Sequence, residues 1–306
     1  MAVKALISSL EDEILDPEEE TFFLFSHDIP SSNLGFIDPK ATSLSLTLAN
    51  RDFTIHQSPT VLSSTREGGT TGAVLWKITP LFATYLSSPS SPFASVFHQS
   101  STVLELGCGI SPLTALLLAP RISRYILTDQ PYVSRLISQN LASNPLPSSS
   151  STASSRTSSS RRKKPTAKSD QPSEVIQFRP LDWEKDTPDP SLTGSPTTRS
   201  FDATVCCDCI YNEALVQPLV SATADLARLR LRDQDSDSAT ADRSEPCVCI
   251  VAQQLRSPDV FDEWARAFHR SFRVWRVPDD LLPEGLRVES GFVVHVGILR
   301  EHEVDF

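Results

Sequence analysis

Short apolar runs alternate with amphipathic stretches from about residue 100 to the end of the chain. Five runs have the length of buried strands, at 103–106, 124–128, 175–178, 201–207 and 248–252. Between them, apolar residues recur at helical spacing, at 112–119, 131–142, 215–229 and 257–271. Strands that alternate with helices are typical of a parallel sheet with both faces covered. The pattern therefore predicts an α/β fold.

Two further patterns predict antiparallel pairs. The closing strands 272–277 and 291–299 follow each other with no helix between them, so we expect a C-terminal hairpin that completes a seven-stranded sheet. Near the N-terminus, residues 43–48 alternate strictly between polar and apolar, and 52–56 follow across a turn. We therefore divide the chain into an N-terminal extension with a β-hairpin (1–66) and an α/β domain (67–306).

Two segments have the composition of disordered inserts. Residues 143–173 are rich in Ser, Thr and Pro and carry the basic tetrad 161–164, and residues 232–245 are charged. Neither segment has enough apolar surface to order itself. For the tetrad we favour an ordinary solvated charge run over a nuclear address or an RNA contact.

Composition and charge narrow the function classes. The chain has 306 residues, of which 39% are hydrophobic, and its net charge is −10. No apolar run approaches the roughly 20 residues of a membrane helix, and the short apolar start turns acidic at 11–13, so we expect an intracellular, cytoplasmic protein. The acidic balance disfavours duplex nucleic acid and is compatible with a basic protein partner. Among the six cysteines only Cys206 and Cys209 have C-x-x-C spacing, and no second such pair accompanies them, so we expect reduced core cysteines and no metal site.

The strongest candidate site is the glycine-rich turn after the first strand of the sheet. Glu105 ends the run, and Gly107-Cys108-Gly109 open the next helix, where unpaired N–H groups face a ligand. Asp129 ends the following strand, where an acid can accept the ribose hydroxyls of a nucleotide-type ligand. Taken alone, this turn fits nicotinamide, flavin and adenosylmethionine binders alike.

Three features favour a methyl donor over a dinucleotide. The third glycine of a dinucleotide fingerprint is absent, since Ser111-Pro112 stand in its place, and Glu105 can orient an ammonium group. The predicted closing hairpin also differs from an all-parallel dinucleotide fold. Finally, the fourth strand ends in the polar stretch 208–213, at the edge where open α/β sheets bind ligands.

With these motifs in hand, the sequence resembles the seven-β-strand protein lysine methyltransferases, which have a Rossmann-like sheet. The resemblance is carried by 71–76 (TGAVLW), 104–109 (LELGCG), 127–129 (LTD), 182–183 (DW) and 208–213 (DCIYNE), in the family's order. Within the family, the stretch 34–42 (LGFIDPKAT) and the hairpin after it are most similar to the fungal ribosomal lysine N-methyltransferase 5 group.

The resemblance implies S-adenosyl-L-methionine as the cofactor. Gly107, Cys108 and Gly109 would line its methionine part, with Glu105 behind them. Asp129 would accept both ribose hydroxyls, which is a charge-assisted contact.

The remaining implied roles lie around the adenine and the acceptor. Trp183 would lie against the adenine, Trp76 would close the methionine end, and Cys207 would support the cofactor through its backbone. Asp208 would face the reacting amine as a catalytic residue, with Tyr211 beside it. The competing structural interpretations are core packing for the tryptophans and a helix cap for Asp208.

The resemblance also implies a substrate, a basic protein of the large ribosomal subunit, and we expect the enzyme to be a monomer. Three alternatives remain open. The chain could methylate an elongation factor or chaperone, act as a non-catalytic cofactor-binding ribosome assembly factor, or be a nicotinamide oxidoreductase.

Overall fold

The computed structural model describes residues 2–30, 35–66, 69–147, 175–234 and 245–300. Its helices are α1 (Ala2–Ile7), α2 (Pro17–Phe25), α3 (Pro59–Leu62), α4 (Ile78–Ser87), α5 (Leu113–Leu118), α6 (Ser134–Ser143), α7 (Val216–Gln234) and α8 (Pro258–Ser271). Its strands are β1 (Glu13–Ile14), β2 (Ser43–Leu48), β3 (Arg51–His56), β4 (Thr102–Leu106), β5 (Arg124–Asp129), β6 (Ile176–Pro180), β7 (Ala203–Cys207), β8 (Val248–Gln254), β9 (Phe272–Arg276) and β10 (Phe292–Leu299). Most of both predicted inserts, with the basic tetrad, lies outside the described residues.

Eight strands form the main sheet, in the order β1-β9-β10-β8-β7-β4-β5-β6. Strands β4 to β8 are mutually parallel, and β10 runs antiparallel between β8 and β9. This confirms the predicted α/β, Rossmann-like sheet with its antiparallel hairpin, but the predicted count of seven strands is wrong. The eighth strand is β1, where Glu13 and Ile14 pair with β9. Two residues show no alternation, so no periodicity could reveal this strand.

The strand order reverses at β4, and that reversal places the site. From β4 the chain moves outward through β5 to β6, and it then returns to add β7 and β8 on the other side. A crevice opens at the carboxyl edge of a parallel sheet wherever the order reverses in this way.

The sheet separates two apolar cores. Val103 on β4 faces a core formed by α1, α4, α5, α6 and the β2–β3 hairpin, whereas Leu104 and Leu106 face a core formed by α2, α7 and α8. Because successive side chains of a strand point to opposite faces, both faces must be apolar when helices cover both. The near-continuous apolar runs in the sequence follow from this burial.

The helices begin and end for local reasons. The predicted cap of α8 is confirmed, since the Ser257 side chain accepts the N–H of Val260 and Pro258 occupies the first turn. The predicted insert 232–245, however, begins too early, because α7 continues to Gln234. Its last turn is held by Asp233, whose Oδ2 accepts the hydroxyl of Ser200 at 2.7 Å.

The predicted β-hairpin is present as β2 and β3, in a separate two-stranded sheet. Two asparagines, Asn140 in α6 and Asn144 directly after it, form hydrogen bonds with β3. Asn144 exchanges hydrogen bonds with the backbone of Thr54, and Asn140 does the same with His56. The hairpin thus packs against the helical layer, and the proposed boundary near residue 66 stays a prediction. Within the described ranges, every helix is too short or too polar to cross a membrane.

Candidate active site

One crevice at the carboxyl edge of the sheet contains all ten residues that the sequence singled out. It encloses about 890 Å³, including its open mouth, which suits a nucleoside-sized ligand. Those ten residues line it together: Trp76, Glu105, Gly107, Cys108, Gly109, Asp129, Trp183, Cys207, Asp208 and Tyr211. Their placement is thus established, while the role of each stays a prediction.

The glycine turn after β4 lets two loops approach closely. Gly107 and Gly109 have φ angles of +66° and +55°, the left-handed region that other L-residues rarely adopt. A Cβ on Gly107 would lie 2.7 Å from Sγ of Cys209 and 3.0 Å from the ring of Trp183. A Cβ on Gly109 would lie 3.1 Å from the carbonyl oxygen of Gly72. Both positions therefore require glycine.

Asp129 ends β5 beside this turn. Its Oδ2 accepts the N–H of Gly109 at 2.9 Å, and its Oδ1 accepts the N–H of Gln130 at 2.7 Å. Burial raises the pKa of this carboxyl to about 6, although both backbone hydrogen bonds act to lower it. Each oxygen keeps lone-pair capacity beyond these bonds. The carboxylate can therefore accept two neighbouring hydroxyl groups, as the ribose role requires.

Glu105 lies behind the turn and is 1% exposed. The hydroxyl of Tyr125 donates to its Oε2 at 2.8 Å. Burial raises the pKa of Glu105 to about 8; the Tyr125 hydrogen bond lowers it, and the charge of Asp129 raises it further. At neutral pH Glu105 is therefore mostly protonated when no ligand contributes charge. A cationic group nearby would favour the ionised form.

Trp183 lines the crevice beside the glycine turn. Its Nε1–H is buried and has no hydrogen-bond partner among the residues that the structure describes. An unpartnered buried donor is costly, so a donor in a ligand crevice indicates a group that arrives with the ligand. This donor, the Asp129 carboxylate and the closely approaching glycines fit an adenine-and-ribose ligand.

Trp76 and Tyr211 also line the crevice, and both contact Thr71. The indole Nε1–H of Trp76 donates to the carbonyl oxygen of Thr71 at 3.1 Å, and the ring lies against Phe36 with centroids 4.5 Å apart. The side chains of Tyr211 and Thr71 hydrogen-bond each other, while 41% of Tyr211 is exposed. Thr71 thus joins the loop before α4 to the loop after β7.

Asp208 is more constrained than the sequence suggested. Its φ of +63° is in the left-handed region, and its side chain is 1% exposed. The carboxylate forms a two-pronged ion pair with Arg256, with Nη2–Oδ2 at 2.6 Å and Nη1–Oδ1 at 2.8 Å. Oδ1 also accepts the Nε2–H of Gln253 at 3.0 Å.

Sequence reasoning missed Gln253 and Arg256. They lie at the end of β8, which runs parallel to β7, so both strands end at the same edge of the sheet. The available signal was the polar stretch 253–256 directly after the apolar run 248–252. Which of its side chains would turn toward Asp208 depends on the loop conformation, which no periodicity encodes.

The cysteines take no part in a metal site among the described residues, where no group of three or more potential ligands comes together. All six are unpaired and buried. Burial raises the pKa of Cys207 and Cys108, so these crevice thiols stay protonated and unreactive.

Comparisons with known proteins find similarity to lysine methyltransferases. Residues 56–157 match the model of a lysine methyltransferase family. The chain is 26% identical to ribosomal lysine N-methyltransferase 5 of Candida glabrata, over 85% of this chain and 90% of that protein. It is 29% identical to the Zygosaccharomyces rouxii protein of the same name, over 69% of this chain and 68% of that one.

A further relative carries a different name. The chain is 29% identical to a diaminohydroxyphosphoribosylamino-pyrimidine deaminase of Schizosaccharomyces pombe, over 84% of this chain. It spans about half of that protein's length, 52%.

Solved structures are more distant. An N-methyltransferase of Bradyrhizobium japonicum in complex with S-adenosyl-L-homocysteine has a TM-score of 0.40 and 10% identity, over 74% of this chain and 92% of its own. The CurJ carbon methyltransferase has a TM-score of 0.38 and 13% identity, over 66% of this chain and 49% of its own.

In its fold, its crevice and the family match over residues 56–157, the chain is similar to the methyltransferases that use S-adenosylmethionine, which confirms the predicted cofactor. Within that class, the predicted resemblance to the seven-β-strand protein lysine methyltransferases is confirmed. The relatives of this chain include several fungal proteins named ribosomal lysine N-methyltransferase 5.

Proposed function

We propose that this protein is an S-adenosylmethionine-dependent protein-lysine N-methyltransferase that modifies a protein of the large ribosomal subunit. One observation carries the proposal. A single crevice is lined both by the glycine turn with Asp129 and by the loop of Asp208 and Tyr211. A methyl donor and an acceptor side chain can therefore meet inside it.

The donor end is arranged for binding and orientation. Asp129 would hold the ribose hydroxyls, Trp183 would lie beside the adenine, and Gly107 would let the cofactor approach the backbone. When bound, the cofactor supplies an electrophilic methyl group on a sulfonium. Glu105 is protonated when no ligand contributes charge, so binding of a cationic ligand would release the proton of Glu105.

The acceptor end must present a lysine amine in its neutral form. A free lysine has a pKa of about 10.4, so deprotonation at neutral pH costs about 4–5 kcal/mol. Desolvation between Trp76 and Tyr211 lowers that cost, because an apolar wall disfavours the ammonium form. The chain then contributes mainly proximity and alignment of the amine with the methyl group.

Two observations support a basic ribosomal substrate. The net charge of −10 favours association with a basic protein, and the fungal relatives are named as ribosomal lysine methyltransferases. The six unpaired cysteines support a reducing, cytoplasmic location.

The proposal is tested by incubating the protein with methyl-labelled donor and, separately, large ribosomal subunits, elongation factors and chaperones. Label on lysine of a large-subunit protein is the expected result, and Asp129→Ala is the matched inactive control. Label only on a factor or chaperone would refute the ribosomal substrate. Donor binding without transfer to any protein would refute the enzyme and favour an assembly factor.

A further inference from the structure

The carboxylate of Asp208 has little capacity left for a substrate. An ionised carboxylate offers about four lone-pair positions. Arg256 takes one on each oxygen, and the Nε2–H of Gln253 and, at 3.3 Å, the N–H of Gln254 approach Oδ1. Three donors approach Oδ1 and one approaches Oδ2, and the side chain is 1% exposed, so the ion pair and burial disfavour proton transfer from an amine to Asp208 while this arrangement persists.

Arg256 is held from several sides besides Asp208. Its guanidinium lies over the ring of Trp76, 5.1 Å from the centroid, and its Nη2–H donates to Oε1 of Gln254 at 3.0 Å. Gly35 covers it, with φ at +93°, and a Cβ there would lie 2.7 Å from Nη2. The side chain is 21% exposed. Arg256 thus connects Asp208 with a wall of the crevice.

Gln253 holds the loop that carries Asp208. The amide Nε2 donates to Oδ1 of Asp208 and, at 2.9 Å, to the carbonyl oxygen of Ile210, whose own N–H donates back to Oε1. Gln253 is 2% exposed. These bonds stabilise the left-handed backbone of Asp208, which is unfavourable for a residue other than glycine.

We propose that Arg256, with Gln253, is a positioning residue of the acceptor site, which keeps Asp208 in a closed ion pair so that the lysine amine meets no net negative charge. This inference rests on the proposed function. A bare carboxylate beside the amine would favour the ammonium form, which cannot accept a methyl group. A two-pronged arginine pair cancels that charge and fixes the loop at once.

Three titratable side chains that neighbour Asp208 in the chain are neutral. Burial raises the pKa values of Cys207, Cys209 and Tyr211, whose protons the nearby carboxylate also favours. Across the crevice lie Glu105 and Asp129, and no Arg256 variant alters their own contacts. A change in pH dependence on removal of Arg256 therefore reports on Asp208 and the bound amine.

The test compares Arg256→Met, Arg256→Lys and the double variant Asp208→Asn/Arg256→Met with the wild type. For each, kcat and KM are measured against pH with the labelled protein substrate, and the melting temperature is measured against pH without cofactor. In Arg256→Met the acid limb of the pH profile of kcat should move to higher pH by about one unit. The reason is that the pKa of the bound amine rises beside the bare carboxylate of Asp208. The double variant should return the limb to its wild-type position, at a lower kcat.

The melting temperature gives a readout that needs no turnover. At neutral pH it should fall in Arg256→Met and recover partly in the double variant, because the double variant has no unpaired buried carboxylate. Arg256→Lys keeps the charge but not the fork, so its acid limb should stay in place while kcat falls.

Two outcomes overturn the inference and leave the methyltransferase intact. These are an acid limb that does not move in Arg256→Met, and a limb that stays displaced in the double variant. A wild-type chain that transfers no methyl group to lysine would instead refute the proposed function, and this inference with it.

Discussion

Glu105 gives the sharpest test of the site, through the substitution Glu105→Gln. The amide has nearly the same shape as the protonated carboxyl, and the Tyr125 hydroxyl can still donate to its oxygen. What the change removes is a buried acid whose pKa is raised from 4.5 to about 8, first by burial. Because the folded protein holds this proton more tightly than the unfolded chain, its stabilising contribution is complete below the unfolded pKa. It is lost as the pH rises through the folded pKa.

The magnitude follows from linkage between protonation and folding. Between about pH 6 and about pH 8, folded Glu105 is mostly protonated and unfolded Glu105 is ionised. The free energy of unfolding of the wild type should therefore fall by about 2 kcal/mol across that window because of this one group. Asp129, with a pKa of about 6, is half protonated at the lower edge of the window and is present in both proteins. All other groups are common to both proteins and cancel in the comparison.

The assay is urea unfolding of the cofactor-free protein at several pH values across the window. We expect the free energy of unfolding to fall less steeply for Glu105→Gln than for the wild type. Glu184→Gln is a matched control, since Glu184 also lines the crevice but is exposed. Parallel curves for wild type and Glu105→Gln would refute the claim that the crevice keeps a protonated acid.

Three further changes test other parts of the site and fold. Asp129→Ala should weaken S-adenosylhomocysteine binding by about 1.5–3 kcal/mol, the loss of a charged hydrogen-bond partner, as measured by calorimetry; unchanged affinity would contradict the ribose role. Gly107→Ala should cost about 1–2 kcal/mol in urea unfolding, because its φ is +66°, and should also block cofactor binding. Ser257→Ala should cost about 1 kcal/mol of stability through loss of the α8 cap, with cofactor affinity unchanged.

Much of the site was predictable because strand ends converge in a parallel sheet. Four site residues lie in or shortly after the ends of four different strands, and each strand is a short apolar run visible in the sequence: Glu105, Asp129, Trp183 and Asp208. Once the runs are known to be parallel, their carboxyl ends must meet at one edge. The same logic could not find β1, whose two residues join the sheet only through pairing with β9.

The sequence by itself determined the α/β class, the position of the glycine turn and the carboxylates beside it. These features follow from the spacing of apolar residues, the length of the strands and the backbone conformations open to glycine, which are local properties. Only the tertiary structure decided that Asp208 is closed by Arg256 and Gln253, and that Glu105 holds a proton. Both depend on burial and on contacts between residues that are 20 to 48 positions apart in the sequence. Such contacts are set by how loops pack at the sheet edge, and no pattern within a single strand or helix records them.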